Sequence, residues 1–393
     1  MPLFSNPLFA FATAIAAAPL VTAIYAYVLY PVIVWAVSLT RRSLATGAHA
    51  DQWPHVTVTV PVYNNVASIR ATLERLLAFD YPREKLQFLV LSDASTDGTD
   101  DIVREFADRG IELLRATTRR GKTAAENAAA EVARGDIIVN VDATVMVPPT
   151  SLRPLIRAFD DQSVGVASGC DVSVDAAPAT EAGGESGYTS YEMLVRKLET
   201  RAGSIVGASG CFYAIRRKIR GSPLHPGLSW DFASTLVARE QGYRSVSVPE
   251  AVCVVPHTQE LRYELRRKAR TMARGISTLF EFRALMNPFK YGGFALMLIS
   301  HKLLRWVPYL VAPASVIALA ILATRSTVAA VVFGIVACGL LAGAVSIKYA
   351  GSINLRPLAL AGFVVAACSA GWLAWFDAIR GARLSSCDRK RVV

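Results

Sequence analysis

Cysteine is scarce in this sequence and poorly placed for a structural role. The six residues, at positions 170, 211, 253, 338, 368 and 387, are scattered and form no Cys-x-x-Cys pair. That spacing excludes a disulfide framework and a cysteine metal centre. Aromatic-basic repeats and zinc-finger spacings are also missing, so the net charge of +11 does not point to nucleic acid. Anionic lipid headgroups and a diphosphate-bearing ligand explain it more simply. No Gly-x-Gly-x-x-Gly follows the first β-like run, which removes the phosphate turn of a dinucleotide fold. Gly121-Lys122-Thr123 looks like the end of a P-loop, but position 116, where its first glycine belongs, is Ala116. That excludes a P-loop NTPase.

Apolar residues, by contrast, are abundant: 53% of 393, with mean hydropathy +0.35. They are not evenly spread. They gather at residues 7–39 and again after about residue 292, with ordinary charge density between. This is the pattern of a membrane protein with a water-facing domain between its spans. No basic region precedes the run at 7–39, and the run is too long for a signal-peptide core. Pro19 and Pro31 are expected to bend that helix. Arg41 and Arg42 follow it directly, so the positive-inside rule puts the next domain in the cytoplasm and the N-terminus outside.

The middle of the chain alternates strand and helix. A β-branched run at residues 56–61 is the first strand. Val66, Ile69, Leu73, Leu76 and Leu77 then share one helical face. Residues 88–91 form a second buried strand ending at Ser92-Asp93, and a helix with Ile102, Val103 and Phe106 inward follows. Residues 111–114 form a third strand. A helix over residues 122–134 leads to a fourth, Ile137-Ile138-Val139-Asn140-Val141, which ends at Asp142. This alternation predicts an α/β fold whose mostly parallel sheet carries helices on both faces. Residues 61–64, 92–96 and 142–144 then lie together beyond the strand ends, where such sheets bind ligands. On its own, Asp142 is either a turn-capping carboxylate or a ligand for a ribose or a metal-diphosphate. Asp231 is either the N-cap of a helix or a functional carboxylate.

Taken together, several short motifs resemble the family 2 glycosyltransferases, which have the GT-A fold. They are Val60-Pro61-Val62-Tyr63-Asn64, Ser92-Asp93-Ala94-Ser95-Thr96-Asp97-Gly98-Thr99, Gly121-Lys122 with Asn127, and Gly135-Asp136 leading to Asp142-Ala143-Thr144. Two more are the segment from Gly207 to Arg217 and Trp230-Asp231-Phe232 with Gly242-Tyr243-Arg244. The resemblance covers roughly residues 55–275. It implies a Rossmann-like GT-A domain and inverting transfer of a sugar from a nucleotide donor, a UDP-sugar, to a lipid-linked or polysaccharide acceptor. Asp231 would be the base that takes the acceptor proton. Pro61, Tyr63, Asn64, Asp93, Lys122, Asp142, Arg267 and Arg270 would bind the donor, with Asp93 on the nucleobase and Asp142 at the ribose and diphosphate. Gly210 and Trp230 would face the acceptor.

The resemblance also implies a divalent cofactor, Mg²⁺ or Mn²⁺, on Asp142. The family's Asp-x-Asp ends here in Thr144, a weaker ligand, and His257 is a candidate in its place. Processive members carry Gln-x-x-Arg-Trp. The corresponding stretch is Arg267-Lys268-Ala269-Arg270-Thr271, and its missing Trp favours addition of one or a few sugars. The same stretch also has the pattern of a basic helix lying on anionic headgroups.

The expected layout is a transmembrane helix at 7–39, a GT-A domain at 51–258, interfacial helices at 259–302, about three further spans at 303–378 and a basic tail at 379–393. Residues 292–300 are read as a short interfacial segment, and 176–187 as a mobile loop or a plain linker. Trp372 and Trp375 stand where an aromatic belt would be. Four spans leave the basic tail outside, against the positive-inside rule. The function expected is a multi-pass glycosyltransferase of the inner or plasma membrane, its catalytic domain cytoplasmic and its partners a nucleotide sugar, the acceptor and the bilayer. The alternatives are a processive synthase that exports its polymer, and a non-catalytic subunit that binds nucleotide sugar or polymer.

Overall fold

Valine and threonine alternate along residues 56–60, and the alternation sorts them onto the two faces of a sheet. The computed structural model describes residues 7–41, 52–174, 183–256, 261–349 and 356–380. They divide into two compact units, one drawn from residues 33–257 and 281–295, the other from 1–32, 258–280 and 296–382.

The first unit is built on a seven-stranded sheet: β1 (Val56–Val62), β2 (Leu86–Ser92), β3 (Ile111–Arg115), β4 (Ile137–Val141), β5 (Val164–Val174), β6 (Phe212–Arg216) and β7 (Arg244–Pro256). Their order is β3-β2-β1-β4-β6-β5-β7. Pairing is parallel from β3 through β4 and between β5 and β7, while β6 runs antiparallel to both neighbours. The sheet is thus mostly parallel, with one reversed strand that the sequence pattern does not reveal.

Helices cover both faces. Val56, Val58, Val60, Val62, Val139 and Val141 pack with Ile69, Leu73 and Leu76 of the helix Ile69–Leu77 and with Leu152, Leu155 and Ile156. On the other face Ile138, Val166, Tyr213 and Ile215 meet Ala133, Trp230 and Ala233, and Leu89 and Leu91 meet Ala125 and Ala129 of the helix Lys122–Val132. This second face is also polar. Thr57 Oγ1 donates to Gln87 Oε1 at 2.7 Å, and Thr59 Oγ1 to Asn140 Oδ1 at 2.8 Å. Fully buried hydroxyls and amides are tolerable there because they pair with each other.

Gly135 marks the entry to β4. A Cβ at that position would lie 2.4 Å from the Thr57 backbone nitrogen. Backbone crowds it, so no rotamer change relieves the clash.

The expectation of a loop or linker at 176–187 is corrected in part. Residues 175–182 lie outside the described set, but a helix already runs from Gly183 to Ala202.

The second unit contributes long apolar helices. Four helices among the described residues are long and apolar enough to cross a membrane: Pro7–Thr40, Gly293–Ala323, Thr327–Lys348 and Leu360–Ile379. The first helix itself runs from one unit into the other. Residues 292–300 are not a separate interfacial piece. From Gly293 they continue into the second of these helices through a π-helical turn, Ile299–Leu303. A matching π turn, Tyr25–Leu29, interrupts the first. The two helices meet here through polar groups. Tyr25 Oη and Ser300 Oγ are 2.9 Å apart, and the Arg305 guanidinium lies 4.8 Å over the Tyr27 ring. Polar side chains in apolar helices find partners between helices. The basic tail lies outside the described residues beyond Arg380.

Replacing Gly135 with Ala should destabilise the protein by about 1–3 kcal/mol, the usual cost of overpacking. Thermal unfolding of the purified protein in detergent checks this. An unchanged midpoint would mean that the β1–β4 entry can open without cost.

Candidate functional site

The loops that end β1 and β2 are locked to each other. The Asn64 N–H donates to Ser95 Oγ at 3.1 Å, Thr96 N–H to Asn64 Oδ1 at 2.9 Å, and Asn65 N–H to Thr99 Oγ1 at 2.8 Å. Asn64 and Ala94 hold positive φ, 48° and 59°. A left-handed Ala costs about 1–2 kcal/mol, so the interlock imposes a backbone shape that Ala94 would not choose. Pro61 is the penultimate residue of β1, half-buried, and sets the exit of the chain toward Tyr63.

Asp93 follows the end of β2, at the strand-end side where the sequence places it. Its carboxylate accepts the N–H groups of Arg120 (2.7 Å) and Gly121 (2.8 Å) and lies 3.8 Å from Arg119 Nε. It therefore pins the segment 119–121 in place. Arg119, which sequence reasoning missed, stacks on Tyr63 with its guanidinium carbon 3.4 Å from the ring centroid. What this corner offers a ligand is a cation on an aromatic face.

Gly121 leads into Lys122, whose Nζ donates to Asp142 Oδ1 at 2.5 Å and to the Gly210 carbonyl at 2.8 Å. Burial works against the ammonium, but the Asp142, Glu126 and Asp231 carboxylates outweigh it and hold Lys122 well above the ordinary lysine range. The turn after β4 closes through backbone, Val145 N–H to the Asp142 carbonyl at 3.3 Å. Asp142 thus directs its carboxylate at Lys122, which disfavours the turn-cap reading.

Four residues join the rest of the site. The Ala208 N–H donates to the Asp231 carbonyl (3.3 Å), Ser209 Oγ to Asp171 Oδ1 (2.5 Å), and the Asp142 N–H to the Cys211 carbonyl (2.9 Å). Gly210 sits between them. A Cβ there would stand 3.1 Å from Asp231 Oδ2, so the backbone passes directly beside that carboxylate. Asp231 is not the helix N-cap. Ser229 holds that position, and Asp231 lies in the first turn of the helix Trp230–Glu240. There it accepts the Ser229 hydroxyl, and the helix N-terminus favours its negative charge.

Trp230 is corrected as an acceptor contact. It is 2% exposed, its indole N–H donates to Asn127 Oδ1 at 2.7 Å, and Arg220 stacks over it at 4.5 Å. It is a core anchor behind Asp231. Asn127 and Thr123, which donate to the Leu224 and Leu228 carbonyls at 2.6 and 2.7 Å, tie the lysine helix to the same segment. Arg267 and Arg270 fall on the helix Leu261–Glu281, with Arg270 exposed and the Arg267 side chain outside the described residues.

Two further carboxylates escaped the sequence reading. Asp171 shares the field of Asp142 and Asp231. Burial, reinforced by both of those charges, raises its pKa against the pull of Arg196 and Ser209. Glu126, one helical turn beyond Lys122, is 1% exposed with an unpaired Oε1. Burial pushes its carboxyl up, while Lys122 and Arg220 pull it down. No local motif marks either residue.

For a divalent metal the protein supplies few ligands. Asp142 keeps one oxygen beyond the one facing Lys122, Thr144 is exposed two residues on, and His257 lies outside the described residues. Among the described residues no group of three or more His, Cys, Asp or Glu can hold a metal. This donor set fits a cation shared with a bound diphosphate, the usual way Mg²⁺ is held.

With this geometry in place, comparison with known proteins identifies the domain. Residues 57–221 match the profile described as Glycosyl transferase family 2, and the domain they form belongs to that family. The chain is 27% identical over 223 residues to the undecaprenyl-phosphate 4-deoxy-4-formamido-L-arabinose transferase of Aeromonas hydrophila, covering 53% of this chain and 66% of that one. It is 28% identical over 260 residues to an N-acetylglucosaminyltransferase of Mesorhizobium japonicum, covering 60% and 59%. The chain spans between 23% and 66% of the length of such curated relatives. Among solved structures, the fold is similar to that of the mannosyltransferase PcManGT from Pyrobaculum calidifontis in complex with GDP-Man and Mn²⁺. The TM-score is 0.68, the identity 24%, and the coverage 95% of this chain and 99% of that one. The fold is GT-A.

Glu126→Gln tests the buried carboxyl. A raised pKa means that the folded state binds this proton more tightly than the unfolded chain does. Its stabilising contribution is full below the ordinary glutamate pKa, and is lost as pH rises through the folded value. The variant should therefore gain on the wild type as pH rises from about 4 to about 8. Unfolding midpoints of both proteins across that range are the measurement. Parallel curves would mean that Glu126 titrates as an ordinary surface glutamate.

Proposed function

We propose that this chain is an inverting glycosyltransferase that moves a sugar from a nucleotide-sugar donor, a UDP-sugar, to a lipid-linked or polysaccharide acceptor at the membrane surface. The observation that carries the proposal is the convergence of Lys122, Asp142 and Asp231 on the segment Ala208-Ser209-Gly210-Cys211 at the strand ends. The family match supports the transfer chemistry. The GDP-Man named for the structurally similar mannosyltransferase makes a GDP-sugar the other donor to test.

The donor nucleotide would lie along the ends of β1, β2 and β4. Its base would rest by Tyr63 and Arg119 on the segment that Asp93 holds, with Asn64 and Pro61 shaping the rim. Its diphosphate would approach Lys122 and Asp142. A divalent cation, Mg²⁺ or Mn²⁺, held by Asp142 and Thr144 together with the diphosphate, would supply positive charge to the leaving group. Lys122 adds a fixed positive charge at the same place, where charge develops in the transition state.

Asp231 is the base. The acceptor oxygen attacks the anomeric carbon from the side opposite the diphosphate, a new carbon–oxygen bond forms, and the bond to the diphosphate breaks. The acceptor proton passes to Asp231, and the nucleoside diphosphate leaves with the bonding pair. The four apolar helices would hold the protein in the inner or plasma membrane. Arg41 and Arg42 at the end of the first support a cytoplasmic position for the domain.

Purified protein incubated with UDP- and GDP-sugars in turn, with Mg²⁺, Mn²⁺ or EDTA, should release nucleoside diphosphate from one donor and lose that release in EDTA. Asp231→Asn should keep donor binding and lower turnover about 10²–10⁴-fold. Full activity in that variant would remove Asp231 from the base role. Donor binding without release by the wild type, whatever acceptor is supplied, would favour a binding subunit.

A further inference from the structure

We propose that the nucleophile accepted by this site is a sugar hydroxyl rather than a lipid phosphate, and that Asp171 binds the acceptor glycan beside Asp231. The proposal rests on the glycosyltransferase reading and names the acceptor class that reading leaves open.

The acceptor side is walled by carboxylates. Three aspartates border the consecutive residues 209–211: Ser209 Oγ donates to Asp171 Oδ1, a Cβ on Gly210 would stand 3.1 Å from Asp231 Oδ2, and the Asp142 N–H donates to the Cys211 carbonyl. Among the described residues, the cations Lys122 and Arg196 that face these carboxylates are already engaged. Lys122 is bound to Asp142 and the Gly210 carbonyl. Arg196 sits behind Asp171, 12% exposed, and donates to the Ala208 carbonyl at 3.3 Å. A phosphate monoester would bring close to two negative charges up to the Asp171 and Asp231 carboxylates. A neutral polyol brings hydroxyl donors, and ionised carboxylates are pure acceptors.

The chemistry points the same way. A phosphate nucleophile is already ionised at neutral pH and has no proton to give up. An alcohol must lose its proton as it attacks, and only then does the carboxylate of Asp231 beside Gly210 have work to do.

Asp171 is placed to make this contact. β5 shifts register between Ser168 and Cys170, and such bulges re-aim the side chains that follow. One Asp171 oxygen takes the Ser209 hydroxyl. The other stands 3.8 Å from Arg196 Nη1, beyond hydrogen-bond reach, and the side chain is 16% exposed. Among the described residues that oxygen takes no hydrogen bond. An acceptor hydroxyl adjacent to the attacking one can donate to it.

The test uses the full chain in detergent with its working donor and two acceptors of matched apolar character: an alkyl glycoside and a long-chain isoprenoid phosphate. Nucleoside diphosphate release is measured with each, and the product is exposed to mild acid, which cleaves a glycosyl phosphate and spares a glycoside. Stimulation by the glycoside, with an acid-stable product, is expected. Stimulation by the isoprenoid phosphate alone, with an acid-labile product, overturns the proposal without touching the glycosyltransferase reading. If the wild type neither binds nor turns over any donor, both fall.

For Asp171 itself, Asp171→Asn should raise the acceptor KM about tenfold or more, as for a lost charge-assisted hydrogen bond, and leave the donor KM unchanged. Ser209→Ala is the control, because it cuts the tether to the 208–211 segment and leaves the Asp171 carboxylate. If Ser209→Ala reproduces the Asp171→Asn profile, Asp171 only positions that segment, and its assignment as an acceptor contact is wrong. The comparison of acceptors on the wild type stands whether or not either variant folds.

Discussion

One ammonium group holds the site together. Lys122 reaches from the first turn of its helix to the end of β4 and to the carbonyl of Gly210, and so fixes three chain segments that are far apart in sequence. The pair with Asp142 is about one-third exposed on each side, so its contribution to stability is small, about 0–1 kcal/mol. What it contributes is position. It keeps positive charge at the strand ends, where a diphosphate would lie, and fixes the carbonyl that turns residues 208–211 toward Asp231.

Behind Lys122 the interior is unusually polar. Thr57, Thr59, Gln87 and Asn140 line the sheet face under the lysine helix, and Glu126 points into the same layer with Arg220 nearby. A wholly apolar layer would pack as well, yet it would leave the ammonium without a counter-charge from below. Glu126 supplies one. The cost is visible in the orphaned atoms: Glu126 Oε1, Asn140 Nδ2, Tyr213 Oη and two nitrogens of Arg220. Buried water commonly bridges groups of this kind.

The first half of the sheet was readable because its signals are local. β1, β2 and β4 are runs of valine, isoleucine and leucine that stop at turn residues, and Asp93 and Asp142 stand at those stops. β5 to β7 were not readable in the same way. β5 contains Gly165, Ser168, Gly169, Asp171 and Ser173, residues with little strand preference, and it is held by pairing with distant β7. The reversed direction of β6 leaves no trace in its own five residues. Asp171 depends on a bulge, and Arg196 on the way the next helix, Gly183–Ala202, folds back on β5. Trp230 misled for a related reason. Its neighbour in sequence faces the cleft, but the helix start turns the indole into the core. In the apolar half, the polar residues His301, Lys302 and Arg305 split one long helix into two apparent pieces, and the π turn at Ile299–Leu303 absorbs them without a break.

The segment at 208–211 does most of its joining through backbone atoms: the N–H groups of Ala208 and Ser209, the carbonyls of Ala208, Gly210 and Cys211, and the bare α-carbon of Gly210. Substitution cannot easily reshape such a hub, because backbone groups are common to every residue type and a Cβ on the glycine would press on Asp231 Oδ2. Diversification among descendants of this protein would therefore be channelled to its periphery. A position such as 171 meets the hub through its side chain alone, so change there would alter the wall beside Asp231 while the backbone joints of the hub are inherited intact.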